Sequence, residues 1–299
     1  DVLDRTPLAA MALVLLLRGS EQRSLTEGLI AESTTYSMLQ GGPEFQQWLR
    51  SRHNKPRLPE IGSAVTSEVH DRQFVITLNR PHVHNAFSRR MRDELSDALL
   101  QALSYGDSYD IVLQGAGPSF CSGGDLAEFG TFVSTADAHV TRLSRSPVRQ
   151  LVGLAGRVTV RLHGACMGAG IELPAGAGRV IARRDAVIAL PEIALGLVPG
   201  AGGTWTIPQR IGRQRTAWLA LTGSSIDAQT AKEWGLVDEI DDEPDAVPHL
   251  DVLKEAGLPV IDLFRIYPPD QRRQLKVAEY DEHPNVRGNQ LISDTMHDR

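Results

Sequence analysis

The sequence has 299 residues and only two cysteines, Cys121 and Cys166. Two thiols cannot build a disulfide framework, nor a four-ligand zinc site on their own. A reducing, cytoplasmic setting is the default expectation. Aromatic residues make up 5%, which leaves no stacking platform for bases. Basic residues do not outnumber acidic ones: 31 Lys and Arg face 37 Asp and Glu, a net charge of −6. That balance offers no global attraction to phosphate backbones and argues against a nucleic-acid binder. Long apolar runs are missing too. The run at 8–17 (LAAMALVLLL) would give about 15 Å of helix, roughly half of what a bilayer needs. Asp1 and Asp4 precede it where a secretion signal would carry basic residues, so it is expected to be a buried helix rather than a span or leader.

What is present is ordinary for a globular chain: 41% hydrophobic and 23% charged residues. Glycine is conspicuous at 27 residues. Apolar spacing predicts helices across 1–50, broken at Gly41-Gly42-Pro43. The charged, proline-containing stretch at 51–60 reads as a linker. Strands are expected at 65–69 and 74–78 around a turn at His70-Asp71-Arg72. A helix over 87–103, a strand at 111–113 and a helix over 136–154 follow. Further strands are expected at 158–162, 180–182, 187–190 and 236–240. Helices are expected at 205–211, 215–221 and 228–234. Such an order reads as an α/β fold. Beyond an acidic break after Asp241, partial helices are expected at 250–263 and 271–280. Three units result: a helical extension and linker at 1–60, a core at 61–242 and a C-terminal, partly helical segment at 243–299.

Three glycine-rich loops each follow a short apolar strand. They are Gly115 to Leu126, His163 to Glu172, and Leu190 to Thr204. Small residues after a strand let backbone approach a ligand and expose N–H groups. The nucleotide-loop signatures fail. Gly168-x-Gly170 lacks the third glycine of the dinucleotide fingerprint, and no loop contains Gly-Lys-Ser/Thr. Ser122 lies in Cys-Ser-Gly-Gly, not in the Gly-x-Ser-x-Gly elbow of a nucleophilic serine.

Four motifs in order carry a resemblance. They are Asn79-Arg80-Pro81 with Asn85-Ala86; Phe120-Cys121-Ser122-Gly123-Gly124-Asp125-Leu126; His163-Gly164-Ala165 to Glu172; and Leu190-Pro191-Glu192 with Gly196 to Thr204. Together with Trp234 to Asp238, over about 175 residues, the chain resembles the crotonase (enoyl-CoA hydratase/isomerase) superfamily. The resemblance implies a ββα-spiral core and an acyl-CoA thioester as substrate. It also implies a homotrimer or hexamer, with no membrane or nucleic-acid partner. Coenzyme A would be part of the substrate, with no separate cofactor and no metal.

By this resemblance the N–H groups of Gly124 and Ala169 form an oxyanion hole for the enolate. Alanine stands at 169 where the family usually has glycine, and it keeps the N–H. Glu172 and Glu192 match the two glutamates that handle protons and water in hydratases, and two acids in one pocket should push one pKa up. His82, Val83, His84 and Ala86 match the segment that wraps coenzyme A. Ser122, Asp125 and Leu126 match the second part of that site. Asp125 fits a helix N-cap equally well, and Arg80 fits a structural ion pair. His163, Cys121 and Cys166 are expected to be packing residues.

The implied activity is a lyase reaction, hydration of a 2-enoyl-CoA to a 3-hydroxyacyl-CoA. The alternatives are an enoyl-CoA isomerase, a cofactor-independent oxygenase of an aryl-acetyl-CoA, or a non-catalytic acyl-CoA binder. The oxygenase alternative comes from the N-terminal helices, which weakly resemble those of the dihydroxyphenylacetyl-CoA dioxygenases.

Overall fold

The computed structural model describes residues 2–52 and 62–241. Most of the expected linker at 51–60, and the expected helices at 250–263 and 271–280, lie outside the described residues.

Four helices come first: α1 (Val2–Arg5), α2 (Pro7–Arg18), α3 (Leu25–Gln40) and α4 (Pro43–Ser51). Ser24 and Glu27 form a reciprocal capping box that starts α3. The Glu44 carboxylate of α4 accepts from Leu8 N at 2.7 Å and Ala9 N at 2.9 Å, satisfying the first turn of α2. The expectation of a buried helix at 8–17 holds for one face only. Ala9, Leu13, Leu16 and Leu17 are buried, whereas Leu8, Met11 and Leu15 are exposed. No helix among the described residues is long and apolar enough to cross a membrane.

The strands are β1 (Val65–His70), β2 (Gln73–Leu78), β3 (Asp110–Gly115), β4 (Val158–Leu162), β5 (Ala165–Met167), β6 (Arg179–Arg183), β7 (Val187–Ala189), β8 (Ile226–Asp227) and β9 (Glu239–Asp241). β1 and β2 form an antiparallel hairpin turned at Asp71 and Arg72, both with positive φ. Two consecutive left-handed residues give the turn whose twist suits paired strands. The main sheet runs β1-β2-β3-β4-β6-β9 and is parallel from β2 onward. A second sheet has the order β5-β7-β8. The strand expected at 236–240 is shorter and later, as β9.

Helix α5 (Arg89–Ser104) buries Met91, Leu95, Leu99 and Ala102 on one stripe and lies against β1 and β2. The single helix expected over 136–154 is two, α6 (Thr135–Ser144) and α7 (Pro147–Gly153). Pro147 has no N–H to continue the ladder and drives Ser146 into extended backbone. α8 (Ala169–Glu172) is a single turn, followed by α9 (Gly203–Thr222) and α10 (Ala228–Trp234). Non-helical backbone at Gly212 divides α9, in line with separate helices at 205–211 and 215–221.

The first two glycine-rich loops leave the carboxyl ends of β3 and β4, and the third leaves β7. Ligand crevices of open α/β sheets lie at such ends. A depression of about 420 Å³ at the opposite ends, lined by Gln73, Asp110, Arg157 and Arg179, is remote from these loops.

Candidate active site

The first two glycine-rich loops are locked together by backbone. Cys121 N donates to Ala165 O at 3.1 Å and Met167 N to Cys121 O at 3.0 Å. Three glycines make this approach possible. A Cβ on Gly123 would lie 3.2 Å from Met167 O, one on Gly164 2.0 Å from Pro118 O, and one on Gly170 2.2 Å from Cys121 O. Gly170 is therefore a packing residue. Gly124 is bridged to Phe87 on the segment after β2. Among the described residues the N–H groups of Gly124 and Ala169 meet no protein acceptor, and Ala169 opens α8.

Glu172 lies at the end of α8 and is 2% exposed. A solvated helix position is thus ruled out for it. Its Oε2 accepts from Ala201 N at 2.7 Å and Gly203 N at 2.9 Å. Glu192 opens a 3-10 turn, Glu192–Leu195, the place a helix-start acid would take. Yet its Oε2 is buried with no hydrogen-bond partner among the described residues. Its Oε1 would be 2.2 Å from a Cβ on Gly168, so this carboxylate reaches the residue that precedes Ala169. The two glutamates named from the sequence are therefore close enough for Glu192 to raise the proton affinity of Glu172, with Glu172 on the turn that Ala169 opens and Glu192 against Gly168 just before it.

Burial and like charge hold these acids protonated above the ordinary carboxylate range. Burial raises Glu192 to about 7, with the Glu32 carboxylate adding to the effect. Glu172 is pushed well up by burial, then by Glu192, then by Glu32, against the two N–H bonds that favour its charged form.

A third carboxylate, Glu32 on α3, was missed by the sequence reading. It is 2% exposed. Oε1 accepts from Gly202 N at 2.7 Å, and Oε2 from Thr204 N at 2.9 Å and Thr204 Oγ1 at 2.7 Å. Burial pushes it up to about 7 against those hydrogen bonds and the Arg142 charge. Tyr36, one turn further on, packs where a Cβ on Gly200 would be, 2.4 Å from its ring carbons. The Arg142 guanidinium lies 4.6 Å from the Tyr36 ring centroid. Arg142 also bonds Ser33 and Ser37 and, at 3.2 Å, Gln40 Oε1. Phe45 of α4 abuts Gly196, where a Cβ would lie 2.6 Å from Phe45 N. Glycines of the third loop thus admit the N-terminal helices as well as exposing backbone. In the structure Glu32, Ser33, Ser37 and Gln40 form a buried polar stripe on α3.

The residues expected around coenzyme A fall on two adjoining segments. Ser122 N donates to His84 O at 2.9 Å and Asp125 N to Phe87 O at 3.0 Å. His82 and Val83 lie in a 3-10 turn, Pro81–Val83. His84 Nδ1 is 2.9 Å from Ser119 Oγ. His82, His84, Ser122 and Leu126 are exposed, with Val83 and Ala86 half-buried. Asp125 is committed elsewhere: one oxygen pairs with Arg80 at 2.9 Å and the other caps Ala127 N at 3.0 Å. Arg80 is accordingly an ion-pair residue, and Asp125 a cap. Leu126 O is taken by Arg52 Nη1 at 2.6 Å. His163 bonds Gly117 O at 2.9 Å, while Cys121 and Cys166 are free and buried. Among the described residues no three His, Cys, Asp or Glu side chains gather in a metal-holding arrangement.

Comparisons with known proteins bear on the family and the fold. The sequence model of the enoyl-CoA hydratase/isomerase family matches residues 70–261. The chain is similar to the 1,2-epoxyphenylacetyl-CoA isomerase of Escherichia coli (strain K12), 34% identical over 183 residues, covering 60% of this chain and 70% of that one. It is also similar to an enoyl-CoA isomerase/hydratase of Mycosarcoma maydis, 30% identical over 191 residues and covering 61% and 68%. Among solved structures, an enoyl-CoA hydratase from Thermoplasma volcanium GSS1 superposes with a TM-score of 0.55 at 32% identity, covering 65% of this chain and 77% of that one. Pseudomonas aeruginosa DspI does so at 0.56 and 29%, covering 68% and 77%.

Proposed function

The chain belongs to the enoyl-CoA hydratase/isomerase family, and from that premise we propose that it hydrates a 2-enoyl-CoA to a 3-hydroxyacyl-CoA. The observation that carries the reading is a buried glutamate, Glu172, and a half-buried one, Glu192, whose Oε2 is buried without a partner, together with two unengaged backbone N–H groups. The thioester oxygen is placed between Gly124 N–H and Ala169 N–H. These donors stabilise the negative charge that grows on that oxygen as water adds at C3. One carboxylate, ionised, takes a proton from the water. The other, protonated, delivers a proton to C2. Like charges at close range keep both from ionising together, so one proton on the pair is the working state. Coenzyme A enters as part of the substrate, along the 82–86 and 122–126 segments, with no separate cofactor.

Isomerisation uses the same oxyanion hole with proton removal and return on the acyl chain. The similarity to an isomerase acting on a phenylacetyl-CoA epoxide favours keeping it as the second reading. A panel of 2-enoyl-, 3-enoyl- and aryl-acetyl-CoA thioesters, followed for hydration, double-bond migration and oxygen uptake, separates them. Hydration that falls by about 10²-fold or more in both Glu172→Gln and Glu192→Gln, with thioester binding kept, is the expected result. Full hydration activity in either variant overturns the assignment.

A further inference from the structure

Helix α9 begins with four N–H groups that no intrahelical carbonyl can satisfy. Two carboxylates alternate over the N–H groups of residues 201–204, the two before α9 and its first two. Ala201 N and Gly203 N donate to Glu172, while Gly202 N and Thr204 N donate to Glu32. The Thr204 hydroxyl adds a fifth donor, to Glu32. Both bonds to Glu172 fall on Oε2. We propose that Glu32, supplied by the N-terminal helix α3, is a positioning residue for Glu172: by holding alternate N–H groups of the same turn it fixes the backbone on which Glu172 rests. The N-terminal helices are then a working part of the site rather than an appended unit, although the family match begins only at residue 70. This inference rests on the acid/base role given to Glu172 above.

Glu32 also acts through charge. Its carboxylate raises both Glu172 and Glu192. The groups facing it are Tyr36 on its own helix, Arg142 from α6, Glu172 from α8 and Glu192 from the third loop. Arg142 is the cation of the set, and it favours the ionised form of Glu32. Removing the Glu32 charge should let Glu172 and Glu192 ionise more easily. Both limbs of a bell-shaped kcat profile should therefore move to lower pH.

The test uses the full chain and Glu32→Gln, with folding checked by circular dichroism. The expected result is a kcat lowered by about 10- to 10²-fold, as for a small misplacement of a reacting group. KM for the thioester should stay within about 3-fold, since Glu32 is 2% exposed and its oxygens are taken up by Gly202 and Thr204. The kcat limbs should shift to lower pH. A folded variant with wild-type kcat and unmoved limbs overturns the proposal. If Glu32→Gln does not fold, Thr204→Val, which removes one donor to Glu32 and none to Glu172, should lower kcat several-fold at constant KM. Unchanged kcat there overturns it. Deuterium exchange at C2 of a saturated acyl-CoA in heavy water serves as a parallel readout. Wild-type exchange without hydration sinks the hydratase reading and leaves Glu32 testable by the same ratios, whereas loss of both in the wild type removes both proposals.

Discussion

Gly168 stands where any side chain would collide with Glu192: a Cβ on Gly168 would lie 2.2 Å from Glu192 Oε1. Its φ of +49° is a second obstacle to substitution. Gly168→Ala should therefore displace the Glu192 carboxylate and lower turnover by about 10²-fold, measured as kcat on the best thioester of the panel. Gly170→Ala provides the contrast. Its Cβ would meet Cys121 O at 2.2 Å, so the first two loops must part. That variant should lose stability, by about 1–3 kcal/mol in urea unfolding, as well as activity.

Stability should fall as pH rises across the neutral range. Glu32 and Glu192 keep their protons up to about 7 in the folded chain, whereas an unfolded glutamate releases its proton at about 4.3. Between those values the folded state binds more protons, so their contribution is fully present at low pH and is lost as pH climbs through the folded values. Glu27, Asp185 and Asp227 are lowered and act in the opposite sense, but only in more acid solution. Thermal unfolding should give a lower Tm at pH 8 than at pH 5.5. Glu32→Gln should flatten the slope, and an unchanged slope would show that Glu32 is not a source of it.

The strands β1 to β4, β6 and β7 and the positions of Glu172 and Glu192 were legible because each has a local signal, whereas the short strands β5 and β8 and the order within the sheets were not. Period-two burial marks β2, and Pro-Glu after an apolar strand marks Glu192. Their meeting was not legible from spacing, since twenty residues on separate elements carry no common period. It came from the ordered motifs. Glu32 was out of reach for a different reason: its donors, Gly202 and Thr204, lie about 170 residues further along, and α3 by itself reads as a capped helix. The apolar spacing across 136–154 predicts one helix, and Pro147, which stops a ladder wherever it falls, divides it into two.

Asn85 is fully buried in left-handed backbone, with φ of +52°. Its Oδ1 accepts from Arg80 N at 2.7 Å, and its Nδ2 donates to Ala116 O and Ser119 O, both at 2.8 Å. Asn85→Ala orphans three backbone groups and should cost about 2–4 kcal/mol. Asn85→Asp places an acceptor against two carbonyls and should cost no less. Urea unfolding measures both.

Cys121 and Cys166 should be inert in the native state. Both are buried, and burial raises Cys121 to about 12 and Cys166 well above its usual value. The thiolate is the reactive form. A thiol reagent at pH 8 should count no reactive thiols in the folded chain and two in denaturant. One fast native thiol would contradict this packing.

Phe129 borders the proposed oxyanion hole: a Cβ on Gly124 would lie 2.9 Å from its ring carbons Cε1 and Cζ. Trp48 of α4 meets it edge-on at 5.8 Å, and Phe45 lies 6.3 Å away. The N-terminal helices thus build the wall beside Gly124 as well as supplying Glu32. Phe129→Ala removes a ring from this wall while leaving the Gly124 N–H and both site glutamates in place. Bulkier acyl groups should gain in kcat/KM relative to short ones, by about 10-fold as expected for a change of pocket volume. Gly124→Ala should press on Phe129 and disfavour every thioester. Competition between a short and a branched thioester in one reaction reads the ratio directly. A ratio unchanged in Phe129→Ala would place the acyl chain elsewhere.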